Sequence, residues 1–307
     1  MGSTVSASAA DGSAAPPLPW RGLLLALGGS IAFSGKAIIV KLAYRHGVDP
    51  VTLIMYRMLF ALPLFVALSW WAGRGRLPLA PRDRWIVVGL GFCGYYLASL
   101  LDFIGLQYLS AGLERLILYL TPTLVLVLGV LLFKRPIGWR QGVALAVGYA
   151  GALIVFGHEL HLEGGHVALG AALVFASTIS YAIYLIYSGE VVQRIGSMRL
   201  TGLASTVACL LCIGHWLVMQ PLASAQVAPA VLWLSVLNAT LCTVAPVLMV
   251  MMAIERIGSA LTAQVGMIGP LSTIAMGVVL LGEPFTPWLV AGTACVLVGV
   301  WLLAKWR

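Results

Sequence analysis

Five ionisable side chains interrupt otherwise apolar stretches of this sequence: Lys36, Arg57, Asp102, Glu114 and Arg115. A charged group inside the hydrocarbon of a membrane is costly, so it usually marks a substrate or ion pathway. With the N terminus on the cytoplasmic side, all five fall at one depth, within roughly the outer third of a bilayer at about 1.5 Å per helical residue. One hypothesis is a structural ion-pair network at an outer gate, with Asp102 or Glu114 against Arg57 or Arg115. The other is a site for a zwitterionic or charged substrate, in which a carboxylate also fits a role in proton coupling.

Hydroxyl and aromatic side chains form stripes on several predicted helices. Tyr95, Ser99 and Asp102 are spaced i, i+4 and i+7, so they share one helix face. A second stripe consists of Ser177, Tyr181, Tyr184 and Ser188. Four further polar residues lie on other predicted helices: Tyr119, Thr121, Asn238 and Gln264. In hydrocarbon these groups face protein or a cavity rather than lipid. Taken singly, each is explained by hydrogen bonding between helices. Taken together, the stripes favour the lining of a cavity for a small amphipathic solute.

Two prolines, Pro122 and Pro270, fall in the middle of predicted helices. A proline there removes a backbone hydrogen bond and bends the helix, which predicts either a hinge for alternating access or a static kink. A histidine- and glutamate-rich segment between two apolar stretches has a spacing compatible with a metal, but it lacks an HExxH motif. Its members are His158, Glu159, His161, Glu163 and His166. A solvated external loop is the favoured interpretation, so no metal site and no cofactor are predicted.

The elements that must position these residues are membrane-spanning helices. Of 307 residues, 61% are hydrophobic and only 9% are charged, and the mean hydropathy is +1.01. This composition excludes a water-soluble fold, and the net charge of +8 reflects topology rather than nucleic-acid binding. A span needs about 20 apolar residues. Ten such spans are predicted, after a disordered tail at residues 1–20: Leu23–Val40, Val51–Trp71, Trp85–Leu106, Leu113–Phe133, Trp139–Phe156, Val167–Tyr187, Thr201–Met219, Val231–Ala253, Ser259–Leu281 and Trp288–Ala304.

The chain also repeats itself. The stretch from Tyr108 to Gly142 recurs from Arg256 onward, with its small residues, proline and tryptophan in matching places. The matched pairs are Ser110-Ala111 with Ser259-Ala260, Pro122 with Pro270, Gly129 with Gly277, Pro136 with Pro284, and Trp139 with Trp288. An internal duplication in a membrane protein is typical of secondary transporters. The predicted five-helix repeats cover residues 21–157 and 167–307.

The distribution of basic residues orients the spans. Most Lys and Arg residues outside the spans lie on the side of the N terminus, whereas Lys41 and Arg45 lie on the other side. This bias predicts that both termini are cytoplasmic. Because each half contains an odd number of spans, the second half must be inverted relative to the first. The matched turns agree, since Lys134-Arg135-Pro136 falls inside and Gly282-Glu283-Pro284 outside.

The second copy, with Pro270, Gly282-Glu283-Pro284, Gly292 and Gly299, resembles the EamA domain of the drug/metabolite transporter superfamily. The first copy is similar through Ser110-Ala111, Pro122 and Gly142, although it carries Lys134-Arg135 where many members have Gly-Glu. We attribute that departure to topology. The resemblance implies a gradient- or proton-driven carrier of small metabolites in the bacterial inner membrane, often an exporter of amino acids or related compounds. It also implies a central cavity between the two halves.

Two other functions compete with that of a carrier. An intramembrane enzyme requires a catalytic set such as an Asp-rich diphosphate site, a zincin motif or a serine elbow, and the sequence contains none of these. A flippase-like carrier of nucleotide- or lipid-linked sugars requires a larger basic cavity, whereas most arginines here fall in predicted cytoplasmic loops. The sequence therefore predicts an all-α integral membrane protein, with an inverted five-plus-five repeat of transmembrane helices. It predicts a non-enzymatic carrier of a small molecule by alternating access.

Overall fold

The structure is a computed structural model that describes residues 20–133, 138–163, 165–266 and 268–305. These residues are almost entirely helical, and no strand occurs among them. The α-helices are α1 Trp20–Tyr44, α2 Pro50–Gly73, α3 Pro81–Gly91, α4 Ala98–Gly105, α5 Ala111–Leu118, α6 Thr121–Phe133, α7 Trp139–Glu163, α8 Gly165–Ile195, α9 Ser197–Met219, α10 Pro229–Ala239, α11 Ala245–Gly266, α12 Gly269–Met276 and α13 Pro287–Lys305. Three π-helical segments, Phe92–Leu97, Thr240–Val244 and Gly277–Leu281, and one 3-10 turn, Leu222–Ala225, complete the set.

Eight helical stretches in the described residues are long and apolar enough to cross a membrane, and two shorter apolar helices, Leu271–Leu281 and Pro287–Leu302, follow them. Many large apolar side chains are exposed: Val218 is 80% and Val279 79% accessible. Such side chains on a helical surface require lipid rather than water as their solvent. The all-α membrane prediction is therefore confirmed, while the count of ten spans stays a prediction.

Local sequence explains where several helices begin. Asp49 precedes Pro50 at the start of α2, and its carboxylate accepts a hydrogen bond from the Thr52 amide at 3.0 Å. Ser110 caps α5 in the same way, accepting from the Leu113 amide at 3.0 Å. A proline in the first turn costs no intrahelical hydrogen bond, because the first amides of a helix lack a partner in any case.

The first helices of the two halves, α1 and α8, run in opposite directions. Tyr44, the last residue of α1, donates its hydroxyl to the carbonyl of Phe103 at 2.7 Å. Near that end of the bundle, the start of α8 packs so closely that a Cβ at Gly170 would lie 2.9 Å from the Gly105 carbonyl oxygen. The other end of α8 contacts Arg76, which donates to the Ile195 carbonyl at 2.7 Å. Therefore α1 ends where α8 begins.

Matched irregularities occur in the two halves. The helical stretches that contain the third and eighth predicted spans each begin with a proline, Pro81 of α3 and Pro229 of α10. Each stretch also includes a π-helical segment, at Phe92–Leu97 and Thr240–Val244. The fourth span is also broken, because α5 ends at Leu118 and α6 begins at Thr121. In the ninth span a new helix, α12, begins at Gly269. Discontinuous helices in corresponding positions are typical of transporter binding sites.

These breaks correct the prediction for the two prolines. Pro122 and Pro270 were expected inside continuous helices, yet each lies in the first turn of a new helix, α6 or α12. Proline is favoured there because its fixed φ suits a helix start. The hinge role of the two residues stays a prediction, and their side chains lie outside the described part of the structure.

Two predicted connections are also helical. The histidine- and glutamate-rich segment was expected as a loop, but α7 continues to Glu163 and α8 begins at Gly165. The side chains of Glu159, His161 and Glu163 lie outside the described residues. The joint predicted at residues 254–258 lies within α11. Residues 1–19 of the predicted tail, and the Lys134-Arg135-Pro136 turn, likewise fall outside the description.

Glycines allow close packing of α7 against α13. A Cβ at Gly151 would lie 2.5 Å from the Gly292 carbonyl oxygen, and one at Gly299 would lie 2.6 Å from the Gly148 amide nitrogen. These are backbone-to-backbone contacts that a larger residue would push apart. Gly142, in contrast, has open space around its Cβ position. It makes no such contact.

Candidate functional site

Lys36 is the centre of the buried charge cluster. Its ammonium nitrogen lies 2.5 Å from Asp102 Oδ2 and 3.2 Å from Glu114 Oε1. Three helices supply these groups: α1, α4 and α5. The ammonium therefore joins the first span to the third and the fourth.

Arg115 completes this network on α5. Its Nε lies 3.9 Å from Glu114 Oε2 and donates to Thr273 Oγ1 on α12 at 3.1 Å. Its NH2 group donates to the backbone carbonyls of Phe33 and Ser34 at 3.3 and 3.4 Å. The guanidinium thus links both halves of the chain to the middle of α1.

Arg57, on α2, has a different set of partners. Its Nε donates to Thr243 Oγ1 at 3.0 Å, and its NH1 group is 3.5 Å from Ser99 Oγ. Its guanidinium carbon lies 5.2 Å from the centre of the Phe103 ring. Thr243 belongs to the π-helical segment of the second half, and its hydroxyl in turn donates to the Asn238 carbonyl at 2.8 Å.

All five charged side chains are buried, from 0% accessibility at Glu114 to 6% at Lys36. Removal of one partner from a buried ion pair leaves an uncompensated charge, which typically costs about 3–5 kcal/mol. Three buried carboxylate oxygens, Asp102 Oδ1 and both oxygens of Glu114, accept no hydrogen bond from the described residues, although the Glu114 oxygens lie 3.2 and 3.9 Å from the cationic groups of Lys36 and Arg115. The cluster is therefore held together by charge, and its partners depend on one another.

The cluster and part of its predicted pairing are present in the structure. Asp102 or Glu114 was expected against Arg57 or Arg115, and Glu114 does pair with Arg115. The central position of Lys36, which contacts both carboxylates, was not predicted. Arg115 has Glu114 at 3.9 Å, and Arg57 has no carboxylate within 4.0 Å in the described chain.

A cavity of about 510 Å³ lies beside the cluster, between the two halves of the chain. Four of the five charged residues line it, all except Glu114. The other polar and aromatic lining residues include Phe33, Ser34, Tyr95, Ser99, Tyr119, Thr121, Ser177, Tyr181, Tyr184, Ser188 and Thr243. The cavity continues past Ser188 to Ser197, which begins α9. Its volume is in the range typical of sites for small molecules.

The tyrosines form one continuous aromatic wall. The rings of Tyr95 and Tyr184 pack edge to face at 5.2 Å, with their hydroxyls 3.4 Å apart, and Tyr181 stacks on Tyr184 at 5.5 Å. Gly94 makes room for this wall, because its Cβ position is filled by the Tyr184 ring. Both predicted stripes therefore line the cavity, as their periodicity indicated.

One predicted site residue is placed differently, and another is not described. Asn238 is fully buried, does not line the cavity, and its side-chain nitrogen and oxygen have no hydrogen-bond partner among the described residues. The side chain of Gln264 lies outside the described part of the chain.

Sequence reasoning missed several residues of the site. Ser34 donates to the Gly269 carbonyl at 2.9 Å, at the start of α12, and Thr243 and Thr273 each accept from an arginine. Ser34 could have been found from Ser30, because two hydroxyls spaced i and i+4 share one helix face. The two threonines carry no such signal, because isolated threonines are common in membrane helices and form bonds within their own helix.

A second set of contacts lies at the end of the bundle nearest the cluster. One Glu283 carboxylate oxygen accepts from the Ala111 amide at 2.8 Å and lies 4.0 Å from the Lys41 ammonium. Arg45 donates to the Leu281 carbonyl at 2.6 Å. Glu283, in the turn matched between the repeats, therefore ties the ninth predicted span to α1 and α5.

Comparison with known proteins agrees with this architecture. The EamA-like transporter family matches residues 20–157 and 168–305, one match to each half. An uncharacterized transporter of Bacillus subtilis, YcbK, is 32% identical over 278 residues, covering 85% of this chain and 86% of that protein. A WAT1-related protein of Arabidopsis thaliana is 27% identical over 195 residues, covering 54% of this chain and 55% of that protein.

A solved crystal structure covers 93% of this chain and 99% of its own, with a TM-score of 0.64 and 16% identity. At this identity the likeness shows the fold alone. The two family matches together span most of the chain, and the similarity to YcbK independently exceeds 30%. The protein is thus a multi-pass membrane transporter that belongs to the EamA-like transporter family.

Proposed function

We propose that the protein is a secondary-active carrier of small metabolites that works by alternating access and exports amino acids or related compounds. In this proposal ten transmembrane helices form an inverted five-plus-five repeat in the bacterial inner membrane, with both termini in the cytoplasm. The observation that carries the proposal is the cavity of about 510 Å³ between the two halves, with a buried charge cluster at one end.

The contacts around the cavity support one state of such a cycle. Beyond the charge cluster, the Glu283 contacts to Ala111 and Lys41 close one end of the bundle. Toward the other end, the cavity lining continues to Ser197. The basic residues near this second end, such as Arg76 and Arg199, favour a cytoplasmic location. In this proposal the arrangement is a carrier that is closed outside and binds its substrate from the cytoplasm.

The breaks at α5–α6 and before α12 supply the moving parts. A short helix joined to another by an irregular turn changes its angle more easily than a continuous helix. Arg115 on α5 and Thr273 on α12 meet across the two halves at 3.1 Å. In this proposal the cluster acts as the outer gate, which opens when these contacts separate, and a carboxylate of the cluster carries the coupled proton.

Reconstitution into proteoliposomes tests the function. Counterflow and uptake are measured across a panel of amino acids and related small metabolites, with and without an imposed pH gradient. We expect counterflow of at least one compound that competes with its own analogues, and stimulation by the pH gradient. The control is liposomes that contain an Asp102→Asn/Glu114→Gln variant. If the wild-type protein transports no compound of the panel faster than this control, the proposal is wrong.

A further inference from the structure

The buried charges divide into a neutral group and one extra cation. Lys36 and Arg115 face the two carboxylates Asp102 and Glu114, so these four charges sum to zero. Arg57 is the fifth charge and has no carboxylate within 4.0 Å in the part of the chain that the structure describes. Protonation of either carboxylate would only make the cluster more positive. A buried net positive charge requires a counter-charge.

The hydrogen-bonding capacity of Arg57 is also incompletely used. A guanidinium has five N–H donors, and the described residues accept from Nε, at 3.0 Å, and from NH1, at 3.5 Å. The side chain is 4% exposed, and it lines the cavity. Guanidinium donors are arranged to bind a carboxylate with two parallel hydrogen bonds. Arg57 therefore presents a geometry and a charge that match an anion entering from the cavity.

The rest of the cavity selects the remainder of the ligand. Tyr95, Tyr181 and Tyr184 form an aromatic wall, and Leu118, Val247 and Val250 add apolar surface. Both carboxylates of the cluster are already within 3.2 Å of Lys36. Their unpartnered oxygens are buried. The cavity thus offers an anion site and apolar contacts, but no free carboxylate for a substrate ammonium group.

We propose that Arg57 binds the carboxylate of the transported molecule, and that the substrates are organic monoanions with an apolar or aromatic body. The proposal rests on the carrier function above and narrows its substrate class from amino acids and related compounds to the related carboxylic acids that lack an ammonium group. A single uncompensated cation favours a monoanion over a doubly charged phosphate, since the dianion would leave a buried negative charge.

Equilibrium binding to the purified protein in detergent tests the proposal, because it does not depend on turnover. The probes share one skeleton: 3-phenylpropionate, its neutral amide 3-phenylpropionamide, and L-phenylalanine, which adds an ammonium group. 4-Methylpentanoate and its neutral amide, 4-methylpentanamide, replace the ring by an aliphatic body. We expect at least one of the two acids to bind about 10- to 100-fold more tightly than its amide. This is the difference in affinity that a charged hydrogen bond between the carboxylate and Arg57 contributes. Equal binding of acid and amide, tighter binding of L-phenylalanine than of 3-phenylpropionate, or binding of neither acid overturns the proposal.

Two pairs of variants locate the effect at Arg57. Arg57→Gln should lose about 10- to 100-fold in acid affinity and leave amide affinity unchanged, while Arg57→Lys keeps part of the acid preference. Ser99→Asp places an internal carboxylate beside the guanidinium, within reach of the 3.5 Å contact. It should fold at least as stably as the neutral control Ser99→Asn and bind no acid. Wild-type acid affinity in Ser99→Asp contradicts the assignment even if Arg57→Gln does not fold.

The carrier function and the anion site at Arg57 can be disproved independently of each other. Acid binding without transport in proteoliposomes removes the carrier function and leaves the anion site standing. Transport of amino acids by a protein that does not distinguish acids from amides removes the anion site and leaves the carrier function.

Discussion

The ammonium of Lys36 lies 2.5 Å from one carboxylate oxygen of Asp102, deep inside a helical membrane protein. The two residues are 66 positions apart in sequence, so the pair fixes α1 to the third span. The same ammonium lies 3.2 Å from Glu114. One cation therefore pairs with two carboxylates. Neutralising either carboxylate changes the net charge around the other.

Neutralising either carboxylate should stop transport. Asp102→Asn and Glu114→Gln each leave Lys36 with one charged partner instead of two, and we expect transport to fall at least about tenfold with protein levels intact. Counterflow in proteoliposomes measures the effect. The matched control is Asp83→Asn, whose partner Arg194 lies 2.8 Å away but is 55% exposed, so that the pair contributes about 0–1 kcal/mol. Wild-type rates in both cluster variants would remove the role of these acids.

The common depth of the charged residues could be predicted from sequence, but the pairing of Lys36 with both carboxylates could not. Span length and helical rise place Lys36, Arg57 and Asp102 at one level. They do not give the rotation of each helix or the order of its neighbours. Lys36 became the central partner because its side chain on α1 reaches both Asp102 on α4 and Glu114 on α5. This arrangement is a property of the tertiary packing and has no local sequence signal.

The helix breaks were hidden for a different reason. Apolar periodicity continues through Tyr119 and Leu120, so the pattern favours one long helix. Pro122 is compatible both with a kink and with the first turn of a new helix. The π-helical segments at Phe92–Leu97 and Thr240–Val244 have ordinary helical composition. Their matched positions become evident when the two halves are compared in three dimensions.

Glu283 should control closure of the end of the bundle near the cluster. Glu283→Ala removes the acceptor of the Ala111 amide and the charge near Lys41, whereas Glu283→Gln keeps an acceptor and removes only the charge. We expect this end of the bundle to open most in Glu283→Ala, less in Glu283→Gln and least in the wild type. The wild type should be the most closed because the helix dipole also favours a carboxylate at a helix N terminus. The measurement is labelling of a Ser99→Cys reporter, in a background without native cysteines, by an impermeant thiol reagent added from that side.

The order of the labelling rates decides this prediction. If Glu283→Ala and wild type label equally fast, the turn does not close that end. Faster labelling in Glu283→Gln than in Glu283→Ala would assign the closure to something other than the amide contact.

Gly269 at the start of α12 should tolerate a methyl group only if Tyr119 changes with it. A Cβ at this position would lie 2.5 Å from Tyr119 Oη and 3.3 Å from Ser34 Oγ. Gly269→Ala should therefore displace the Tyr119 ring in the cavity and reduce transport several-fold. In the double variant Gly269→Ala/Tyr119→Phe the clashing oxygen is gone, and transport should recover relative to Gly269→Ala. Transport is compared at equal protein levels. A double variant no better than Gly269→Ala contradicts the contact.

Two glycines on α7 should respond to alanine with opposite signs. At Gly151 the added Cβ meets the Gly292 carbonyl oxygen at 2.5 Å and Cys295 Cβ at 2.7 Å, so α13 must move away. Overpacking of this kind costs about 1–3 kcal/mol. At Gly157 the Cβ meets nothing within 4 Å, so Gly157→Ala should stabilise the helix by about 0.5–1 kcal/mol. Reversible unfolding in mixed micelles measures both changes. Because neither glycine lines the cavity, substrate affinity of the folded fraction should stay unchanged. A stability loss at Gly157 equal to that at Gly151 would show that the close contact with α13 does not set the response.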